Sequence, residues 1–181
     1  MPQGALTEAE WIKEAAQGNT GAFAELVRLH RMRVLRTAFG VLGSQEEAED
    51  VAQDVFIKVW HSLKDFQLDT SFGSWVYRIT VNTSIDVLRH RKEEVGMDVE
   101  YSSPAARPEE EVIRHTNQQR VRQAIAQLPE SARTTLTLRE FEQLSYKEIS
   151  EVLQIPIGTV MSRLNYARQS LKKLLSESGG E

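Results

Sequence analysis

The chain has 181 residues, 40% of them apolar and 27% charged, which allows one ordinary domain or two small ones with a packed core. It has no cysteine, which excludes a disulfide framework and cysteine-ligated zinc and suits a reducing compartment. A net charge of −4 and a pI near 5.7 argue against a general nucleic-acid-coating protein. No apolar run approaches the roughly 20 residues that cross a bilayer. The start MPQGALTEAEW lacks the basic flank and apolar stretch of a secretion signal, so a cytoplasmic protein with no direct membrane insertion is expected.

Helical periodicity runs almost throughout, and strand signals are nearly absent. Thr7 followed by Glu10 is a capping box that opens a helix near residue 8. From Ala22 to Leu42, Phe23, Leu26, Val27, Val34, Leu35 and Ala38 share one stripe, and Gly43 can end the helix. Ser44 with Glu47 reads as a second capping box, opening a helix to about Leu63. Lys64 to Ser71 reads as a loop, followed by a helix from Phe72 to about Lys92. Glu93 to Pro108 holds Gly96, Ser102, Ser103, Pro104 and scattered acids, the composition of a linker.

Pro108 suits the start of a helix over about Glu109 to Gln127. Leu128-Pro129 interrupts it, and Glu130 to Glu142 resumes. Ser145 with Glu148 is a third capping box, opening a short helix to Leu153. After Ile155-Pro156-Ile157-Gly158, a last helix runs from Thr159 to about Ser176, with Gly179-Gly180 behind it. The expected fold is all-α: two small helical domains, 1–92 and 109–181, joined by a flexible acidic linker over 93–108.

Charge is segregated along this frame. Between Ile155 and Leu175 there is no acid, while Arg163, Arg168, Lys172 and Lys173 are basic. A second basic knot is Arg89-His90-Arg91-Lys92, and acids collect at Glu46, Glu47, Glu49, Asp50 and Asp54 and again from Glu93 to Glu111.

A short helix, a tight turn and a longer basic helix form the layout of a helix-turn-helix, whose second helix enters the major groove. Ile149, Leu153, Ile155, Val160 and Leu164 supply its apolar lock. Thr159, Met161, Ser162, Asn165 and Tyr166 fall on or beside the opposite face. Arg163 and Arg168, with Lys172 and Lys173, suit phosphates. The bland alternative is a helical hairpin with a solvated basic face, and the usual turn glycine is Gln154 here.

In the N-terminal half, Val51, Val55, Val59 and Leu63 form a core stripe in AEDVAQDVFIKVWHSL, residues 48–63. Glu47, Asp50 and Asp54 line a neighbouring face with Gln53, and Phe56 and Trp60 add large apolar surface. An acidic stripe edged by aromatics suits docking to a basic partner, against the alternative of a solvated face over a core stripe. No second carboxylate or histidine pair faces Glu47, Asp50 and Asp54, so no metal site, cofactor or small-molecule substrate is expected. In FGSWVYRITVNTSIDVLRHRK, residues 72–92, aromatics are followed by Arg78, Asn82 and the basic knot, a pairing that suits single-stranded nucleic acid. Core packing is the competing reading for Phe72 and Trp75.

These segments resemble sigma factors of the extracytoplasmic-function (ECF) class within the sigma-70 family. AEDVAQDVF resembles a region 2 helix, SFGSWVYRITVNTSIDVLRHRK the promoter-melting and −10-reading helix, and residues 128–175 region 4. The resemblance implies a non-enzymatic initiation factor whose Asp50, Gln53, Asp54 and Phe56, with Trp60, contact the β′ clamp helices of core RNA polymerase. It implies a pocket for a base flipped from the −10 element in the loop Lys64 to Ser71, including Asp65 and Phe66. Arg78, Asn82, Arg89, Arg91 and Lys92 would lie at the upstream edge of that element. The last helix, through Thr159, Met161, Ser162, Arg163, Asn165, Tyr166 and Arg168, would read the −35 element, and the rest of its domain would meet the β flap.

Housekeeping relatives place two tryptophans where this chain has Arg78 and Ile79, so weaker melting and stricter promoter dependence follow. Met161 and Tyr166 cannot make the bidentate guanine contact of arginine. An anti-sigma partner, holding the protein at the inner face of the membrane, is also implied. The competing function is a helix-turn-helix regulator that docks no polymerase.

Overall fold

The computed structural model describes residues 6–66, 71–95 and 114–177, the side chains of 92–95, 114–118 and 177 excepted. Its elements are α1 (Glu8–Ala16), α2 (Thr20–Leu42), α3 (Gln45–Ser62), a 3-10 turn (Leu63–Asp65), α4 (Phe72–Val95), α5 (Arg114–Ala126), α6 (Glu130–Glu140), α7 (Tyr146–Leu153) and α8 (Ile157–Glu177). No strand occurs among the described residues. Most of the expected linker and the Pro108 helix start lie outside them.

Local chemistry sets the helix ends. The Thr7–Glu10 and Ser145–Glu148 capping boxes both close in the two directions the sequence requires. Hydrogen bonds from Ser145 hold the Glu148 carboxyl below its usual range. Gly43 ends α2 in the left-handed region at φ 75°, where glycine meets no Cβ clash. Asn19, not foreseen as a cap, accepts from the amides of Gly21 and Ala22 at 2.9 and 3.1 Å and so starts α2 two residues before Ala22.

Ser44 makes only half of its expected box. Its Oγ accepts from the Glu47 amide, but the Glu47 carboxylate has turned to Arg91, whose Nε donates to Oε1 at 2.6 Å. A long-range ion pair has outbid the local cap.

Helices α1 to α4 enclose one apolar core. Leu26, Val34, Ala38, Val41 and Leu42 from α2 meet Val51, Val55 and Val59 from α3 and Phe72 and Val76 from α4. The Val51-Val55-Val59-Leu63 stripe is buried throughout, as its spacing requires. The C-terminal core gathers Leu128, Ala132, Leu136, Leu138, Leu144, Ile149, Val152, Val160, Leu164 and Ala167, and it also takes in Tyr77 and Val81 from α4. The two helical units therefore pack against each other, α6 on α2 and α7 on α4. The sequence foretold the units but not this seam.

Candidate functional site

The acidic face of α3 is open. Asp50, Gln53 and Asp54 are exposed and lie within one helical stripe, because positions three and four apart share a face. The same stripe holds Ile57, 55% exposed, an apolar side chain among acids that the sequence reading did not single out. Its spacing of three from Asp54 and seven from Asp50 was the available signal. Phe56 is half-buried and packs on the N-terminal core. Trp60 is half-buried too, with its ring 4.8 Å from that of Phe23. The two aromatics, four residues apart, border one side of the stripe and leave Ile57 as its apolar centre.

The next surface surrounds the start of α4. Lys64 and Asp65 are exposed on the 3-10 turn, and residues 67–70 lie outside the described part of the loop. Phe66 is drawn inward: its ring is 5.4 Å from Phe72, edge-on at 87°, and 4.8 Å from Trp75. Trp75 in turn lies 5.6 Å from Phe72. These rings form one cluster on the N-terminal core, so Trp75 and Phe72 take the packing role weighed against base stacking. Ser71 sits at the entry to α4, accepting from the Ser74 amide through its side chain and the Trp75 amide through its carbonyl.

Further along α4, Arg78, Asn82 and Arg89 are exposed. Arg89 keeps a loose pair with Asp86 at 3.6 Å. Arg91, by contrast, is only 14% exposed in its side chain and clasps Glu47, tying the end of α4 to the start of α3. Its engagement explains why the basic knot is not one uniform surface. Lys92's side chain lies outside the described residues.

The third surface is the helix-turn-helix. Ile149, Val160 and Leu164 are fully buried and set α7 against α8. The turn is closed by Gln154 in the left-handed region, φ 53° and ψ 46°, which normally favours glycine. Met161 and Tyr166 are 55% and 52% exposed, and Ser162 and Asn165 are exposed beside them. Thr159 and Arg163 are half-buried. Ser162 Oγ donates to the Thr159 carbonyl at 3.0 Å.

Arg163 and Tyr166, with Ser162, line a cleft against Pro129, Ser131 and Ala132 at the start of α6, a wall absent from the sequence reading. Arg168 donates to Glu140 at 3.0 Å, and that bond, then Tyr146, raises its already high pKa. Its charge is thus shared with its own fold.

Among the described residues no three histidine, aspartate or glutamate side chains gather as a metal site. No described helix is long and apolar enough to cross a membrane.

Comparison with known proteins matches the same two units. The Sigma-70 region 2 family covers residues 26–94, and the Sigma-70, region 4 family covers residues 118–171. The ECF RNA polymerase sigma factor SigW of Bacillus subtilis is 33% identical over 92% of this chain and 95% of its own. The RNA polymerase sigma-H factor of Pseudomonas aeruginosa is 36% identical over 93% of each chain. Among solved structures, CnrH in complex with the cytosolic domain of CnrY aligns at a TM-score of 0.73, with 26% identity, over 94% of this chain and 97% of that one. The chain belongs to the ECF class of the sigma-70 family, the non-catalytic factors that give RNA polymerase its promoters.

Proposed function

We propose that this chain divides its work among the three surfaces described above. Asp50, Gln53, Asp54 and Ile57 dock the polymerase clamp, with Phe56 and Trp60 shaping the rim. Lys64, Asp65, Ser71, Arg78, Asn82 and Arg89 hold the −10 element, with Phe66 as an anchor of the loop and Lys92 beyond the clasped Arg91. Thr159, Met161, Ser162, Arg163, Asn165 and Tyr166 meet the −35 element, Arg168 adding charge from its edge. Residues 1–92 and 109–181 are the functional domains, and 93–108 the connection.

The observation that carries this reading is the bared Ile57 within an acidic stripe, on the same chain as an exposed helix-turn-helix face. An apolar centre with a charged rim is the anatomy of a protein-docking surface. A duplex-reading regulator alone has no use for it.

Opening DNA costs on the order of 1–2 kcal/mol per base-pair step, which capture of extruded bases partly offsets. With Arg78 and Ile79 in place of a tryptophan wedge, the factor depends on a close promoter match. Met161 and Tyr166 place more of the −35 recognition on phosphates and DNA shape. The protein acts in the cytoplasm in a stress or envelope response. An anti-sigma partner covers its docking faces and can hold it at the membrane, as a cytosolic CnrY domain binds CnrH.

Run-off transcription with core polymerase over a promoter library tests the assignment. Initiation must depend on both the core and this chain. Asp54→Arg and Ile57→Ser should each weaken core binding by about tenfold or more without loss of helical circular dichroism. Tight binding of the free chain to a defined duplex, with no core-dependent initiation, would favour the regulator instead.

A further inference from the structure

The core-facing stripe of α2 carries one polar ring. Leu26, His30 and Val34 stand four apart and share that face, and His30 is only 4% exposed. Burying an imidazole costs stability unless its N–H finds an acceptor, and a leucine would fill the position without that cost. His30 instead has two partners on other helices. Its Nε2 lies 2.8 Å from Oε1 of Glu8 on α1, and because a carboxylate only accepts, that bond assigns the proton to Nε2. Its ring stands 5.1 Å from that of Phe72, edge-on at 68°.

Phe72 opens α4 and passes the contact on, with its ring 5.4 Å from that of Phe66 and 5.6 Å from that of Trp75. Phe66 closes the 3-10 turn, its amide donating to the Leu63 carbonyl at 3.1 Å. Phe66 and Phe72 therefore bracket the loop assigned above to the −10 element, one where the turn leaves the core and the other where α4 begins. Helix α1 rests on both α2 and the 3-10 turn, with Ile12 and Ala15 buried. It lies ahead of the residues 26–94 that match region 2, and nothing above gives it a task.

The contacts form one continuous series: Glu8 on α1, His30 on α2, Phe72 on α4 and Phe66 on the turn. The hydrogen bond fixes the rotation of the imidazole, and the edge-on ring contacts carry that orientation forward. A pocket that captures an extruded base must be held to within about 0.5 Å by its supporting residues. We propose that His30 is a positioning residue for −10 capture, oriented by Glu8 and acting through Phe72 on Phe66, and so on both ends of the loop. Its part in capture rests on the −10 assignment; the relay itself does not.

Glu8→Ala and Glu14→Ala separate positioning from simple support of α1. The Glu14 carboxylate accepts from Asn19 Nδ2 at 2.8 Å at the other end of the same helix, so its loss loosens α1 without touching His30. On a duplex promoter with core polymerase, permanganate reads the unpaired thymines of the −10 region. Glu8→Ala should lower that reactivity at least about fivefold, the least expected for a buried donor left without its acceptor. Its affinity for core polymerase should match wild type. Glu8→Gln keeps an accepting oxygen and should restore most of the reactivity, and Glu14→Ala should melt the promoter as wild type does. In the free chain, Trp11→Phe with Trp60→Phe leaves Trp75 as the only tryptophan of the three. There Glu8→Ala, but not Glu14→Ala, should raise the quenching of Trp75 by acrylamide.

Wild-type melting by Glu8→Ala would overturn the proposal. So would equal losses in Glu8→Ala and Glu14→Ala, a Glu8→Gln variant no better than Glu8→Ala, or loss of helical dichroism in Glu8→Ala. If wild type itself melts no −10 element with core polymerase, the −10 assignment falls instead, and the relay stands or falls on the quenching of Trp75.

Discussion

Leu26 and Thr137 are both sealed from solvent, 1% and 0% exposed, yet they sit in interiors of opposite character. Around Leu26, α1 to α4 contribute aliphatic and aromatic side chains, the kind of contact that only unfolding undoes. Around Thr137, the seam mixes aliphatics with unpaired hydroxyls, a buried carboxylate and a glycine kept for clearance. An unsatisfied buried hydroxyl costs on the order of 1–3 kcal/mol, so the seam forfeits part of what its apolar contacts gain. The first interior holds a fold; the second holds a contact that can be broken.

The largest expected effect separates the two directly. Leu26→Ala should destabilise the α1–α4 unit by about 2–5 kcal/mol, seen in denaturant unfolding. Glu142→Ala, which removes the acceptor of Arg36 and Tyr77, should leave both units folded and cost the seam about 1.5–3 kcal/mol, the range for hydrogen bonds to a charged group. Its readout is an expanded chain in scattering. If Glu142→Ala lowered the unfolding midpoint as far as Leu26→Ala does, the seam would be core and the contrast would fail.

Replacing hydroxyls sharpens the contrast from the other side. Thr37→Val with Thr137→Val removes two unpaired donors while keeping the shape, so the seam should strengthen by about 1 kcal/mol for each. Denaturant unfolding should then show the two units parting later. An unchanged profile would mean that these hydroxyls play no part in holding the seam.

Gln154→Gly tests a place where strain sits inside one unit. The left-handed conformation costs a side-chain-bearing residue about 1 kcal/mol, so glycine should stabilise α7 and α8 by up to that amount in thermal unfolding. The α1–α4 unit and the seam should be unaffected.

The smallest effect belongs to pH. Burial, then the hydrogen bond to Glu142, pushes the Tyr77 phenol well above its ordinary value of 10.0, while Arg33 and Arg36 nearby pull it down. With the folded-state pKa raised, this contribution to the seam is full below pH 10 and is lost as pH rises through the raised value. Of the four tyrosines, one should therefore lag in tyrosinate absorbance, and Glu142→Ala should abolish the lag.

Much of this was legible before the fold. The Thr7 and Ser145 boxes and the valine stripe of α3 are local patterns, and local patterns survive folding. The bond between Glu47 and Arg91 escaped because it spans distant parts of the chain: Glu47 was read as a cap and Arg91 as part of the basic knot. Ile57 hid in a stripe read for its acids. The seam escaped because ARTTLTL carries no apolar period that announces burial on every side. Tyr77, Val81 and Ile85 do form a second stripe on α4, visible once a partner for it is known.

That the acidic face of α3, with Ile57 at its apolar centre, docks polymerase is open to direct measurement. In a titration of labelled protein with core polymerase, Ile57→Ser should bind at least about tenfold more weakly than wild type, with its helical dichroism unchanged. Equal affinity of the two chains for the core would overturn the docking assignment.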